Sequence, residues 1–173
     1  MESILTLAQQ QANKPISEKN AAKFNQLREE TIRKDLTDLL GAALIDAIIK
    51  SPTDERFVNL LDAKEYEDSS GYTRRHLGLR FVLSYFLYAR YIGMSDVSDT
   101  FTGLVRKNRT ESESLSDGRV KMLQNDARDI ALTQFNSIKE YMTENITEYP
   151  EWHCDTNRKT FKPQVTTLRK TLR

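Results

Sequence analysis

The sequence predicts an all-α protein, a helical bundle of four to five helices with a long projecting loop and an extended C-terminal tail. Three observations point there. Only four prolines and six glycines punctuate 173 residues, so long uninterrupted helices are permitted. Apolar residues recur at three-to-four-residue steps in several stretches, the period of one helix face. A run from Leu77 to Ile92 is apolar almost all round, as a buried central helix must be.

The elements follow in order. Residues 1–16 read as an N-terminal arm, without the positive start and sustained apolar run of a leader segment. Ser17 is a candidate N-cap, and Ala21, Phe24, Leu27, Ile32, Leu36, Leu39 and Leu40 then mark an amphipathic helix. Gly41 offers a C-cap or a kink before Ala43, Leu44, Ala47 and Ile48 extend an apolar face to Lys50. Ser51-Pro52-Thr53-Asp54 is a start signal, with Ser as cap and Pro in the first turn, for a short helix carrying Phe57, Val58, Leu60 and Leu61. The polar stretch Asp62–Gly71 reads as a connection. The apolar run that follows could by composition be a strand, but its length decides for a helix, with Gly93 as its end. Residues 94–116 form a long Ser-, Thr-, Asp- and Glu-rich loop around the less polar island Thr100–Val105, where a short strand pair would fit. Ser116 caps the last helix, in which Val120, Leu123, Ala127, Ile130, Ala131, Ile138, Tyr141, Met142 and Ile146 keep helical spacing. Running unbroken, it would span about 45 Å at ~1.5 Å per residue, more than a small core needs, so part of it is expected to meet another subunit. Pro150 closes the helical domain, taken as residues 17–152, and residues 153–173 are a basic tail.

Composition excludes whole classes of function. Twenty-six Lys and Arg against 25 Asp and Glu leave a net charge of +1, so no global field draws the chain to nucleic acid or to anionic lipid. One cysteine, Cys154, rules out an internal disulfide and a thiolate cage. No run of roughly 18 apolar residues occurs, and no membrane partner is expected. Neither a phosphate-binding glycine loop nor a dinucleotide fingerprint is present. His76 and His153 lie far apart, and the adjacent His153-Cys154-Asp155 cannot all face one ion, so no metal and no cofactor are expected. The same His153-Cys154 pair is the nearest approach to a nucleophile and base, but sequence neighbours rarely form such a dyad. Glu111 and Glu113 read as solvated charge, and Asn145-Ile146-Thr147, though a sequon, as a helix end. The chain is read as no enzyme.

Other features point to contacts. Arg74, Arg75, Arg80 and Arg90, on or beside the apolar helix, are read as pairing with acids of neighbouring helices; inter-subunit pairing is the alternative. Tyr85, Phe86, Tyr88 and Tyr91 read as core rather than a base-stacking platform. The tail carries Arg158, Lys159, Lys162, Arg169, Lys170 and Arg173 with no acid after Asp155. Phe161, Val165, Leu168 and Leu172 are interleaved on one helical face, so the tail is built to order on a partner.

Several short motifs carry a resemblance. Phe57-Val58-Asn59-Leu60-Leu61 before Tyr66, Leu77-Gly78-Leu79-Arg80 opening a helix that ends Tyr88-Ala89-Arg90-Tyr91, Thr102-Gly103-Leu104-Val105-Arg106-Lys107 with its Ser-rich continuation, the closing Tyr149-Pro150-Glu151-Trp152 and the upstream Asp38–Leu44 segment stand in that order. Together they resemble the small head-tail connector proteins of tailed bacteriophages, particularly those of Bacteroides-type hosts, crAss-like phages among them. The resemblance implies a virion subunit in a ring of about twelve copies that docks beneath the portal protein, continues the DNA channel and meets the next ring or tail component. By position it makes Phe101, Leu104, Val105, Arg106 and Lys107 the loop that reaches a neighbour or the portal. Arg158, Lys159, Phe161, Lys162, Val165, Leu168, Arg169 and Leu172 belong to the tail, where this chain departs from the pattern. The rival expectation is a small helical nucleic-acid-binding or DNA-packaging regulator that binds phosphate through this tail; its DNA affinity would fall steeply with salt.

Overall fold

A computed structural model describes residues 4–17, 21–95, 97–100, 103–106 and 116–153. The described chain is mostly helical: α1 (Leu7–Asn13), α2 (Ala21–Thr31), a π-helical turn (Ile32–Leu36), α3 (Thr37–Leu40), α4 (Ala42–Lys50), α5 (Glu55–Leu61), α6 (Leu79–Ser95), α7 (Asp117–Glu144) and α8 (Pro150–His153). Two antiparallel hairpins join them, β1 (Lys64–Glu67) with β2 (Thr73–His76) and β3 (Val97–Thr100) with β4 (Gly103–Arg106). The bundle is therefore not purely all-α, and the first hairpin corrects the reading of Asp62–Gly71 as a plain connection.

That hairpin is hidden by its polarity but follows from period-two placement. Lys64 pairs with His76 and Tyr66 with Arg74; His76 is buried and Tyr66 packs against the core, while Glu65 and Glu67 face solvent. The turn is closed by side-chain chemistry. The Asp68 carboxylate accepts from the Ser70 and Tyr72 N–H groups at 3.0 and 2.9 Å and from Arg74 Nε at 2.8 Å. Backbone and guanidinium hydrogen bonds both lower its pKa. Ser69 adds a hydroxyl bond to Glu144 Oε1 at 3.2 Å, tying the tip to α7.

The core is built around α6. Val82, Leu83, Phe86, Leu87 and Ala89 are buried, and α6 packs on α2, α7, α1 and α5. The segment set apart as an N-terminal arm belongs to this body: Ile4, Leu5 and Ile16 are buried in the common core. Thr6 caps α1 in a reciprocal arrangement with Gln9. From α2 to α3 the helix continues through one widened turn. Thr31 and Leu36 are five residues apart, and the π turn between them brings both inside together with Leu27 and Leu40. Thr37 Oγ1 donates to the Ile32 carbonyl five residues back at 2.9 Å. At Gly41, φ of 84° turns the chain into α4.

Three boundaries differ from the sequence reading. Helix α5 starts at Glu55 with Asp54 as its cap, the carboxylate accepting from Arg56 N–H at 3.1 Å, so Ser51 and Pro52 form the preceding turn. Gly93 lies within α6 instead of ending it. A Cβ there would come 2.2 Å from Gln124 Nε2, so the glycine makes room for α7. Pro150 opens α8 rather than simply closing the domain, a first-turn position its missing N–H suits. Ser116 does cap α7, accepting from Arg119 N–H. Ser17 brings its hydroxyl against that of Tyr91.

Three of the four arginines beside the apolar helix, Arg74, Arg80 and Arg90, pair with acids of the same chain. Arg90 reaches Asp35 Oδ2 from Nε at 2.9 Å and from a terminal nitrogen at 2.7 Å. Arg80 pairs with Asp62 and donates from Nε to the Ile4 carbonyl at 2.9 Å, and Arg74 pairs with Asp68. No helix among the described residues is long and apolar enough to cross a membrane.

Gly78 joins β2 to α6 at φ 81°, where a Cβ would lie 2.3 Å from the Leu61 carbonyl oxygen. Both the conformation and the space demand glycine. Replacing it, Gly78→Ala should cost about 2–4 kcal/mol; a urea unfolding midpoint equal to that of the parent would refute the close approach.

Candidate functional site

Two places adjoin the loop and the tail from which partner contacts were expected: the far end of the α6–α7 pair and the end of α8. The first follows from a mismatch of lengths. Helix α7 has 28 residues, about 42 Å at ~1.5 Å per residue, and its buried positions begin only at Ala127. The ten residues from Asp117 to Asp126 therefore run about 15 Å beyond the fully buried part. Val120 and Leu123 are only half-buried, and Met122 is 48% exposed. On α6, Met94 is 47% exposed. This paired end carries the β3–β4 hairpin between its two helices.

The hairpin register sets Ser98 opposite Val105, Asp99 opposite Leu104 and Val97 opposite Arg106, with Thr100 opposite Gly103. Of the five loop residues singled out in the sequence, Leu104, Val105 and Arg106 thus lie on β4, in the strand pair foreseen as an option there. Phe101 and Lys107 lie outside the described residues, as do Arg158, Lys159, Phe161, Lys162, Val165, Leu168, Arg169 and Leu172. Glu111, Glu113, Cys154 and Asp155 lie outside them too.

The departure point of the tail is held by one arginine. From α5, Arg56 donates to Glu151 Oε1 at 3.0 Å, to Glu151 Oε2 at 3.3 Å and to the Glu148 carbonyl at 3.1 Å. Its guanidinium also lies 4.2 Å from the Phe57 ring centroid. In return, Tyr149 donates its hydroxyl proton to the Arg56 carbonyl at 2.7 Å, and its buried phenol has a raised pKa because burial disfavours the phenolate. The sequence reading missed Arg56 because nothing local in the chain pairs residue 56 with residue 151.

Behind this clamp sits an aromatic cluster. Tyr141 stands 5.0 Å from Tyr66, 4.6 Å from His76 and 6.0 Å from Tyr149, centroid to centroid, with the two Tyr pairs edge-on. His76 is fully buried and accepts from the Gly78 N–H at Nδ1, 3.2 Å away, so its proton resides on Nε2, which has no hydrogen-bond partner. Burial first, and the Lys64 charge second, push its pKa down to about 4. A neutral, sealed imidazole supports the hairpin and is out of reach of a substrate. Among the described residues no group of three or more His, Cys, Asp or Glu side chains could hold a metal ion.

His76 dictates a pH signature. Its folded pKa lies below the unfolded value of 6.5, so the unfolded state takes up the proton first as pH falls. Stability should be flat above pH 6.5 and should decline towards pH 4 by up to about 3 kcal/mol. Thermal unfolding across that range should show the decline in the parent and lose most of it in His76→Gln; an unchanged slope would contradict the buried neutral ring.

A family model described as Family of unknown function (DUF6712) matches residues 36–162. Comparison with curated proteins found no match, and neither did comparison with solved structures.

Proposed function

The chain belongs to that family of unknown function, and we propose, on the resemblance of its motifs and on the surface described above, that it is a non-catalytic structural subunit of a phage head-tail connector. In this reading, copies close into a ring by heterologous contacts between identical subunits. The ring docks below the portal protein, carries the DNA channel towards the next ring or tail component, and resides in the virion at the head-tail junction.

One observation carries the proposal. The α6–α7 pair outruns the core and holds Met94 and Met122 in water at its end. A helix longer than its own body needs has a use when the surplus meets another subunit, and methionine suits a surface that must fit irregular partners. The motif order that resembles the connector family places β4 at this same end. Arg56 fixes α8, the last described element before the tail, and in this reading the tail supplies a second contact, with portal or adjacent ring.

Exposed substitutions here should barely alter folding, within about 0.5 kcal/mol, yet block assembly. The double change Met94→Asp with Met122→Asp should retain the parent's helical far-UV spectrum and melting temperature while failing to enter particles. Normal incorporation of that variant, measured by mass spectrometry of purified particles, would remove the support on which the proposal rests.

A further inference from the structure

The β1–β2 hairpin is held to the body by very little. Among its strand positions only His76 is buried; β1 alternates between half-buried and exposed, and the rest of β2 is exposed. A two-stranded hairpin is marginal by itself in water, so this one persists through its attachment. That attachment is short. The His76 and Tyr66 rings stand against Tyr141 of α7 at 4.6 and 5.0 Å, centroid to centroid, and the Ser69 hydroxyl donates to Glu144.

His76 also makes the joint between hairpin and central helix. Its Nδ1 accepts from the Gly78 N–H at 3.2 Å, and Gly78 is fixed at φ 81° with no room for a side chain beside the Leu61 carbonyl oxygen. An imidazolium carries a proton on both nitrogens and accepts from nothing. A proton added at Nδ1 therefore takes the lone pair that the Gly78 N–H uses and leaves two donors facing each other. Nε2 has no hydrogen-bond partner, so the cation would be buried with neither nitrogen satisfied, a strongly disfavoured state.

The surrounding charges give that cation no relief. Lys64, directly across the strand pair, repels it. Asp68 is engaged by Arg74, and Asp62, beside Gly78, by Arg80. Burial first, then the α7 carboxylate Glu140 and to a lesser degree Glu144, raise the Tyr66 pKa, so both acids border the hairpin at Tyr66. Glu65, Glu67 and Arg75 alternate to the opposite face. Tyr66, Tyr141 and Tyr149 are phenols, uncharged in acid.

We propose that the hairpin is an acid-released latch: one proton taken up at His76 Nδ1 frees residues 64–76 from α7 and from the start of α6, while the helical body stays folded. The balance is one proton gained and one hydrogen bond, Gly78 N–H to Nδ1, given up. In place, the ring takes a proton only near pH 4, because burial first and the Lys64 charge second oppose it. Released into water, it takes the proton near the ordinary 6.5. The released form thus binds the proton more tightly, so release is flat above pH 6.5 and grows as pH falls towards 4, by roughly a hundredfold between pH 7 and pH 4. The latch needs no ring and is independent of the connector reading.

Amide exchange of the full chain, read by mass spectrometry at pH 7 and pH 4 and corrected for the intrinsic rate at each, tests it. Peptides covering residues 64–78 should lose about a hundredfold in protection at pH 4, while those of α6 and the buried half of α7 keep theirs. His76→Gln, whose amide oxygen can accept from Gly78 and does not titrate, should hold the hairpin equally at both values. Should that variant fold poorly, a His153→Gln chain leaves His76 as the one imidazole. Hairpin protection in it should fall until that ring is fully charged, as read by NMR, and no further. Glu140→Gln with Glu144→Gln removes the other acids beside Tyr66 and should leave the pH dependence in place. Unchanged protection of 64–78 at pH 4 would overturn the latch, as would a loss shared equally by α6 and α7. So would a pH dependence that persists in His76→Gln, continues after the ring is charged, or vanishes with the two glutamates.

Discussion

The close antiparallel approach of α6 and α7 is the constraint from which the remaining arrangement follows. Gln124 Nε2 donates to the Ala89 carbonyl at 3.2 Å across the pair, and Gly93 leaves the space its amide fills. On α7, Gln124, Ala127 and Ala131 share one helical face, and both alanines are buried. Small residues at the contact allow two helix backbones to approach closely. With that pair set, α2 and α1 are left to cover the remaining faces of α6, and the β1–β2 hairpin fits where β2 meets α7.

Polar contacts then specify the order of parts around this axis. Arg90 to Asp35 locates the helix before Gly41 against α6, Arg80 to Asp62 locates the entry to the first hairpin, and Arg56 to Glu151 locates α8. The first is the most sheltered, with both side chains 17% exposed. A partly buried ion pair adds little net stability, but one partner alone would be costly, so it selects one docking over near alternatives. This also accounts for arginines on an otherwise apolar helix.

Most helices were legible in the sequence because periodicity reports burial directly, and α7, with its Ser116 cap, was clearest. What stayed hidden has physical causes. The β1–β2 hairpin carries charged residues on its outer face and buries only His76, so apolar alternation never showed. Gly93 was read through its conformational freedom, whereas its role is to lack a side chain, which only the partner helix reveals. Asp54 and Ser51 are both good caps, and local propensity cannot rank two such candidates three residues apart. The π turn at Ile32–Leu36 was not foreseen, because the apolar positions on both sides of it were read as one continuous helical face. The aromatic cluster and Arg56 depend on pairings some 65 to 95 residues apart in sequence, beyond any local signal. The strand pair read as an option in the long loop did form as β3 and β4, while residues 107–115 and the tail from residue 154 lie outside the described residues.

The π turn at Ile32–Leu36 has an evolutionary corollary. Such turns hold one residue more than the α-helix around them, so losing a single codon there would restore regular winding and still leave Phe24, Leu27, Leu36 and Leu40 within about 120° of one another. Regular winding with the residue kept would instead spread the same four side chains over about 220°. The widened turn is what lets the chain carry one surplus residue without splitting its apolar stripe, so a lineage that drops that residue keeps the stripe and loses only the bulge.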